Sequence, residues 1–242
     1  MNPSLEPLRV SNLKDACVQR LEGLILSSEL KAGERLPSER DLALRLDISR
    51  PVLHEALVEL AARGLVTILP RRGVVVNDYR KTGSCAILSS LLAYNNGHLD
   101  PKFTDSLFAM RQLVEVESAA LAARNASAEK VAELRELIDV KREFAGGEIQ
   151  SLTELDFDFH LLVAIASGNL VYPLILNSFK SVSSYFTREF YRLCDDEDVI
   201  RDVFRYQSRL VDAIYRKDSF AASDVMREML AHGEKHLKEI LP

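Results

Sequence analysis

Two groups of side chains in this chain have the types and spacing for chemistry. The first is cationic. Arg50 and His54 lie four residues apart, so a helix through them presents both on one face, with Ser49 just ahead to cap its first turn. A guanidinium there can chelate a guanine edge or clamp a phosphate, and base contacts usually come from the start of such a helix. Arg40 lies one short element earlier, and Arg71-Arg72-Gly73 makes a basic turn downstream, suited to a flanking phosphate or a minor groove. The second group is mixed. Asp156 and His160 sit one helical turn apart, where they could share an ion or act as a general acid/base dyad. His232 and His236 repeat that spacing near the C-terminus, where a surface helix predicts solvated imidazoles. Arg111 stands among Phe108, Met110, Leu113 and Val114, where an unpaired guanidinium is costly. It needs an anion, either a ligand or Glu115 one turn on. No nucleophile, GxGxxG loop, GKS/T loop or complete metal set accompanies the dyad, which argues against an enzyme.

The elements that must position these groups follow from periodicity and punctuation. Residues 11–28 predict an amphipathic helix with Leu13, Ala16, Cys17, Leu21, Leu24 and Ile25 inward. Lys31-Ala32-Gly33 breaks it. Ser38, with Asp41 three residues on, predicts the start of a short helix whose inward stripe is Leu42, Ala43 and Leu46. Asp47-Ile48 reads as a tight turn. The helix from about 50 to 63 is anchored by Leu53, Ala56, Leu57, Leu60 and Ala61, with Pro51 in its first turn and Gly64 at its end. The β-rich runs 65–69 and 74–76, parted by Pro70-Arg71-Arg72-Gly73, predict a hairpin with a basic tip. Three helices, a short turn between the last two, and a hairpin describe a winged helix-turn-helix.

From about Ala86 the pattern is helical, strongest over 103–125, 128–144, 152–167, 170–193, 198–216 and 219–240. Asp100-Pro101, Ser127, Ser151 and Asp218 supply starts, and Gly97, Gly146-Gly147 and Gly168 supply stops. A short linker near 77–86 divides the chain into domains 1–80 and 81–242. The expected fold class is mainly α: an N-terminal winged helix-turn-helix (α+β) joined to an all-α helical-bundle ligand-binding domain.

Composition narrows the function classes. Of 242 residues, 47% are apolar and 28% charged, a globular balance that excludes disorder as the main state. No apolar run is long enough to span a bilayer, and the opening MNPSLEPLRV lacks the pattern of a secretory signal. Cys17, Cys85 and Cys194 are scattered, which points to a reducing cytoplasm. The net charge of −5 hides an asymmetry: residues 1–80 carry 12 Lys+Arg against 11 Asp+Glu, and the acidic excess lies beyond them. Local distribution, not the total, decides phosphate binding.

The stretch LPSERDLALRLDISRPVLHEALVELAARGLV, followed by RRGVVV, resembles the GntR family of bacterial transcription regulators. Arg40, Ser49, Arg50, Glu55, Ala56, Leu57, Gly64, Leu65 and Gly73 match its pattern LPSER-x-LA, SR-x-x-V-REAL, EGL and G-x-G-x-x-V. The resemblance implies DNA-contacting roles for Arg40 and Arg50. His54 stands where the family usually has arginine, and Pro51-Val52 where Thr-Pro is common, departures that bear on the operator sequence and not on the activity.

In the helical half, MRQLVEVESAALAARNAS, LDFDFHLLVAIASGN and DAIYRKDSFAASDVMREML resemble motifs of the FCD ligand-binding domain, the mark of the FadR subfamily. That resemblance implies a homodimer on a palindromic operator in double-stranded DNA, with no membrane partner. It also implies an effector cavity involving Arg111, Asp156 and His160, with Tyr172, Tyr185 and Arg188 as further lining. Many such domains hold a divalent metal through an aspartate, a histidine four residues later and two more histidines. Here Gln207 and Met229 stand at the last two positions, and both are poor ligands. No cofactor is therefore required, Asp156 and His160 are weak metal candidates with His232 and His236 as a substitute pair, and His160 is expected to hydrogen-bond to Asp156 in the core. The stretch 155–180 is similar to fatty-acid-responsive members, which implies a fatty acyl-CoA or another fatty-acid derivative as effector. The alternative is a small organic acid of the lactate, pyruvate or sugar-acid class, sensed through a metal.

Overall fold

Ser38 and Ser49 open the two helices on which the cationic residues sit. The computed structural model describes residues 13–94, 101–143, 148–194 and 197–240, which fall into two compact units, Met1–Asn96 and Gly97–Pro242.

In the first unit, α1 (Leu13–Leu26), α2 (Glu39–Leu46) and α3 (Arg50–Ala62) precede the strands β1 (Val66–Leu69) and β2 (Gly73–Val76). At the start of α2, the Asp41 amide donates to Ser38 Oγ at 3.2 Å, and the Ser38 hydroxyl donates to the Asp41 carboxylate at 2.8 Å, a reciprocal cap. Asp47 ends α2 in the left-handed region (φ 52°), turning the chain directly into α3. Leu53, Ala56, Leu57 and Leu60 of α3 are fully buried against Leu21, Ile25, Leu42, Leu65 and Val76. On α1 the inward stripe is Cys17, Val18, Leu21 and Ile25; Leu13 and Ala16, expected inward, are exposed because the helix turns Val18 to the core instead.

β1 and β2 pair antiparallel, Val66 opposite Val76 and Leu69 opposite Gly73. The segment around Arg35, just past the expected break at Lys31-Ala32-Gly33, adds an edge to β2 through Leu36 N–H to the Val74 carbonyl (2.9 Å) and Val76 N–H to the Glu34 carbonyl (2.9 Å). Gly64 ends α3 at φ +79°, and a Cβ there would lie 2.0 Å from the Thr82 carbonyl oxygen.

The division between the compact units corrects the expected boundary at 80/81. Residues read as a linker form α4 (Tyr79–Thr82), followed by α5 (Ile87–Tyr94), and Ile87 is buried in the first unit's core. Thr82 Oγ1 donates to the Gly64 carbonyl at 2.8 Å, tying α4 to the end of α3.

The second unit is all helical: α6 (Pro101–Asn125), α7 (Ala128–Glu143), α8 (Ile149–Ala166), α9 (Tyr172–Ser178), α10 (Lys180–Leu193), α11 (Glu197–Tyr215) and α12 (Ser219–Ile240). Small residues on α6, Ala119, Ala122 and Ala123, let α12 pack close along it, and Leu134, Phe159, Val163, Leu210, Ile214 and Met226 complete the core. Ser127 and Asp218 cap α7 and α12 as expected, and Gly168 ends the α8 region at φ +75°. Two expectations are corrected. α8 begins ahead of Ser151, and the single helix expected over 170–193 is broken at Phe179 into α9 and α10. The expected punctuation at Gly97, Asp100 and Gly146-Gly147 lies outside the described residues. Among the described residues, no helix is long and apolar enough to cross a membrane.

Candidate functional site

The first unit carries a cationic face. α3 starts on the Ser49 cap, whose Oγ accepts the Val52 amide at 3.5 Å, and its four buried apolar residues fix its rotation. That rotation leaves Arg50 and His54 exposed on the opposite side. Arg40, Arg71 and Arg72 are also exposed, and no described carboxylate lies within ion-pair distance of these three or of Arg50. Arg71 (φ 57°) and Gly73 (φ 86°) curl the tip of the hairpin, holding both arginines clear of the strands. His54 differs from the others, because its Nδ1 lies 3.3 Å from Glu39 Oε1 on α2. Reading a base with that imidazole requires leaving Glu39, a competitor that local spacing did not reveal. Behind the face, Arg63 donates to Glu22 (3.0 Å) and Ser90 (3.1 Å), clamping α3 to α1 and α5.

The second unit holds two adjoining cavities that share Phe108, Arg111 and His160. One, with about 610 Å³ of empty space including its mouth, is lined on its polar side by Gln112, Asp156, Thr187 and Glu234 and reached by Met229. The other, about 440 Å³, is walled by Met110, Phe157, Leu176, Phe179, Val182 and Phe186.

A chain of basic and acidic side chains runs beneath both. Arg111 Nε donates to Glu115 Oε1 at 2.6 Å, and the other oxygen of Glu115 abuts His160 Nδ1. His160 Nε2 is 3.9 Å from Asp156 Oδ2. Asp156 Oδ1 accepts from Lys141 Nζ at 2.5 Å and from Gln207 Nε2 at 3.1 Å. His160 therefore makes its close contact with Glu115, not with Asp156 as expected, because α6 brings a second carboxylate to the ring. Burial alone would push the Asp156 carboxyl up, but Lys141, His160 and Arg111 together hold it below the ordinary carboxylate range.

Glu115 shows the same competition more strongly. Burial opposes ionisation, yet Arg111 and His160 hold its carboxyl at about 2, against an ordinary 4.5. A carboxyl depressed on folding stabilises fully above its unfolded value and loses that contribution as pH falls through the folded one. The helical unit is therefore expected to lose about 3 kcal/mol of stability as pH falls from the unfolded toward the folded value of Glu115. Urea midpoints across that range measure it, and Glu115→Gln flattens the acid limb.

The expected site residues divide. Arg111, Asp156, His160 and Met229 meet at the cavities. Gln207 is fully buried beneath them, holding Asp156. Tyr172, Tyr185 and Arg188 line neither cavity: Arg188 is exposed and stacks over the Tyr185 ring, and Tyr172 packs beside Val114, Ala164 and Leu176. His232 is not simply solvated; it packs against Tyr206 and His236 and donates through Nε2 to the Val199 carbonyl (3.1 Å), while His236 sits 3.3 Å from Glu239. Among the described residues, no group of three or more His, Cys, Asp or Glu side chains is arranged to hold a metal. Lys141 was missed. It continues the inward steps Val131, Leu134, Ile138, and that phase was the available signal.

Comparison with known proteins gives matches to both units. Residues 13–76 match the model of bacterial regulatory proteins of the gntR family, and residues 106–232 match that of the FCD domain. The HTH-type transcriptional regulator Mce2R of Mycobacterium tuberculosis is 30% identical over 178 residues, covering 74% of this chain and 73% of that protein. The fatty acid metabolism regulator protein of Shewanella pealeana is 27% identical, covering 77% of this chain and 75% of its own length. The solved structure of Lar, which controls the Listeria monocytogenes agr system, superposes with a TM-score of 0.65 at 16% identity over 96% of this chain and 99% of that one, a likeness of fold.

Proposed function

This chain belongs to the gntR family of bacterial regulatory proteins, with an FCD domain as its effector half. From that premise we propose that it acts in the cytoplasm as a homodimer on a palindromic DNA operator, under the control of a fatty acyl-CoA or another fatty-acid derivative. The family makes it a DNA-binding transcription regulator and not an enzyme. Asp156 and His160 do not form the acid/base dyad their spacing suggested, since Asp156 is engaged by Lys141 and its other oxygen lies 3.9 Å from His160 Nε2.

The observation that carries the effector reading is the place of Arg111. Its guanidinium sits where a polar cavity adjoins an apolar one, and it spends only Nε on Glu115 among the described residues. An anionic or carbonyl head on its remaining N–H groups would send an acyl chain along Phe157, Leu176, Val182 and Phe186. The similarity to a fatty acid metabolism regulator supports the same class. A second reading, a small organic acid, is favoured by Gln112 and Thr187, which give the first cavity hydrogen-bonding partners beyond Arg111. For the dimer, the helical unit leaves Leu113 and Leu170 strongly exposed (76% and 86%), apolar surface suited to a second copy.

The test is fluorescence anisotropy of an operator complex titrated with oleoyl-CoA and, separately, with lactate, pyruvate and a sugar acid. Oleoyl-CoA is expected to shift operator affinity, through a coupling of about 1–3 kcal/mol. Arg111→Lys, which keeps the charge but loses the fork, is expected to leave DNA binding intact and weaken the response roughly tenfold or more. A response to the small acids alone establishes the second reading. A response unchanged in Arg111→Lys places the ligand elsewhere.

A further inference from the structure

The fold does not require the charge it buries beneath the cavities. The Lys141 side chain, on α7, is 1% exposed, though lysines are almost never fully buried unless paired. Removing an ammonium from water costs several kcal/mol, and apolar residues often replace a buried ion pair without loss. Burial accordingly pulls the Lys141 ammonium below lysine's usual value, against the attraction of Asp156. Something other than packing holds a cation at this point.

Its partners indicate what. Nζ lies 2.5 Å from Asp156 Oδ1 on α8 and 3.4 Å from Gln207 Oε1 on α11, and it faces the rings of Phe204 (5.3 Å) and Tyr191 (5.6 Å). The resemblance to FCD domains implies a divalent ion shared by the residues at 156, 160, 207 and 229. The residues present do not fit one. Met229 offers a thioether and Gln207 an amide already bonded to Asp156, and Asp156 Oδ1 is taken by an ammonium, so only Asp156 Oδ2 and His160 Nε2, 3.9 Å apart, remain as good donors. What an ion would supply, positive charge against Asp156 with a link to the residue at 207, Lys141 already supplies.

We propose that the Lys141 ammonium is a built-in replacement for a divalent cation, so that the helical unit is assembled and works without metal. The two carboxylates beneath the cavities are neutralised by side chains of the protein itself, Glu115 by Arg111 and Asp156 by Lys141. Lys141 is a positioning residue. It fixes Asp156 and Gln207, and through Asp156 it sets the charge on one wall of the cavity.

Zinc uptake by the full chain tests this, by dialysis against zinc followed by elemental analysis, beside thermal unfolding in zinc and in EDTA. The wild type is expected to hold no more zinc than Asp156→Asn and to melt at the same temperature in zinc as in EDTA. Lys141→Ala vacates the position and frees both Asp156 oxygens beside His160 Nε2, and is expected to take up more zinc than the wild type with a rise in melting temperature in zinc, both lost in Lys141→Ala/Asp156→Asn. Wild-type zinc that Asp156→Asn removes overturns the proposal. So does a folded Lys141→Ala that takes up no more zinc than the double variant, since the ammonium would then be an ordinary ion-pair partner. If Lys141→Ala does not fold, the comparison of wild type with Asp156→Asn decides alone. The outcome is independent of the effector reading: a protein that ignores oleoyl-CoA yet excludes zinc fails only that reading.

Discussion

Arg50→Ala is expected to abolish operator selectivity while leaving the protein folded. The side chain is exposed, and no described carboxylate pairs with it, so its removal leaves no buried partner and little change in stability. On DNA the loss is larger. An arginine bidentate to a guanine edge contributes about 1–3 kcal/mol of discrimination, and a dimer on a palindrome loses it twice, roughly 30-fold to ten-thousand-fold in affinity. Arg71→Ala at the hairpin tip behaves differently. In a phosphate role Arg71 carries no sequence information, so that variant weakens operator and scrambled duplex alike and lowers the slope of log affinity against log salt by about one, whereas in a minor-groove role it costs the operator more. Anisotropy titrations of both variants on both duplexes separate the two roles. A selectivity unchanged in Arg50→Ala would remove α3 from base reading.

Lys141→Met carries the largest expected effect on stability. Methionine fills much the same volume, but it takes the close ammonium from Asp156 and leaves the buried carboxylate with the Gln207 amide and His160 at 3.9 Å. Breaking a buried pair from one side costs about 3–5 kcal/mol, because the surviving charge stays desolvated. Asp156→Asn in the same chain removes that charge and is expected to recover most of the loss, since an amide can still bond Gln207. The two compact units need not unfold together, so the measurement is a urea titration in which the helical unit's transition moves. If Lys141→Met unfolds at the wild-type midpoint, the pair does not hold the site.

What the sequence made legible follows from the range of the interaction. Ser38, Ser49, Ser127 and Asp218 act on amides three residues away, so their caps and the helix starts follow from neighbours alone. The inward faces of α3 and the β1–β2 hairpin follow from period and turn residues, and these fix where Arg50, Arg71 and Arg72 point. The charge chain was not legible in the same way. Lys141 meets residues 15 and 66 positions away, and Glu115 meets His160 from another helix. No local rule pairs them; only the packing of α6, α7, α8 and α11 does. His54 is an intermediate case. Its exposed face was evident, but its contact with Glu39 depends on the angle between α2 and α3, set by Asp47. The break at Phe179 has no proline or glycine to announce it.

The most direct measurement is selection of bound duplexes from a random-sequence pool by the wild-type protein. The proposed homodimer would set two copies of α3, each with an exposed Arg50, on one duplex, and it predicts a palindromic consensus whose half-sites lie about one DNA turn apart, with guanine among the preferred bases. Recovery of duplexes with no shared sequence, or with a single half-site and no symmetry, would contradict the account.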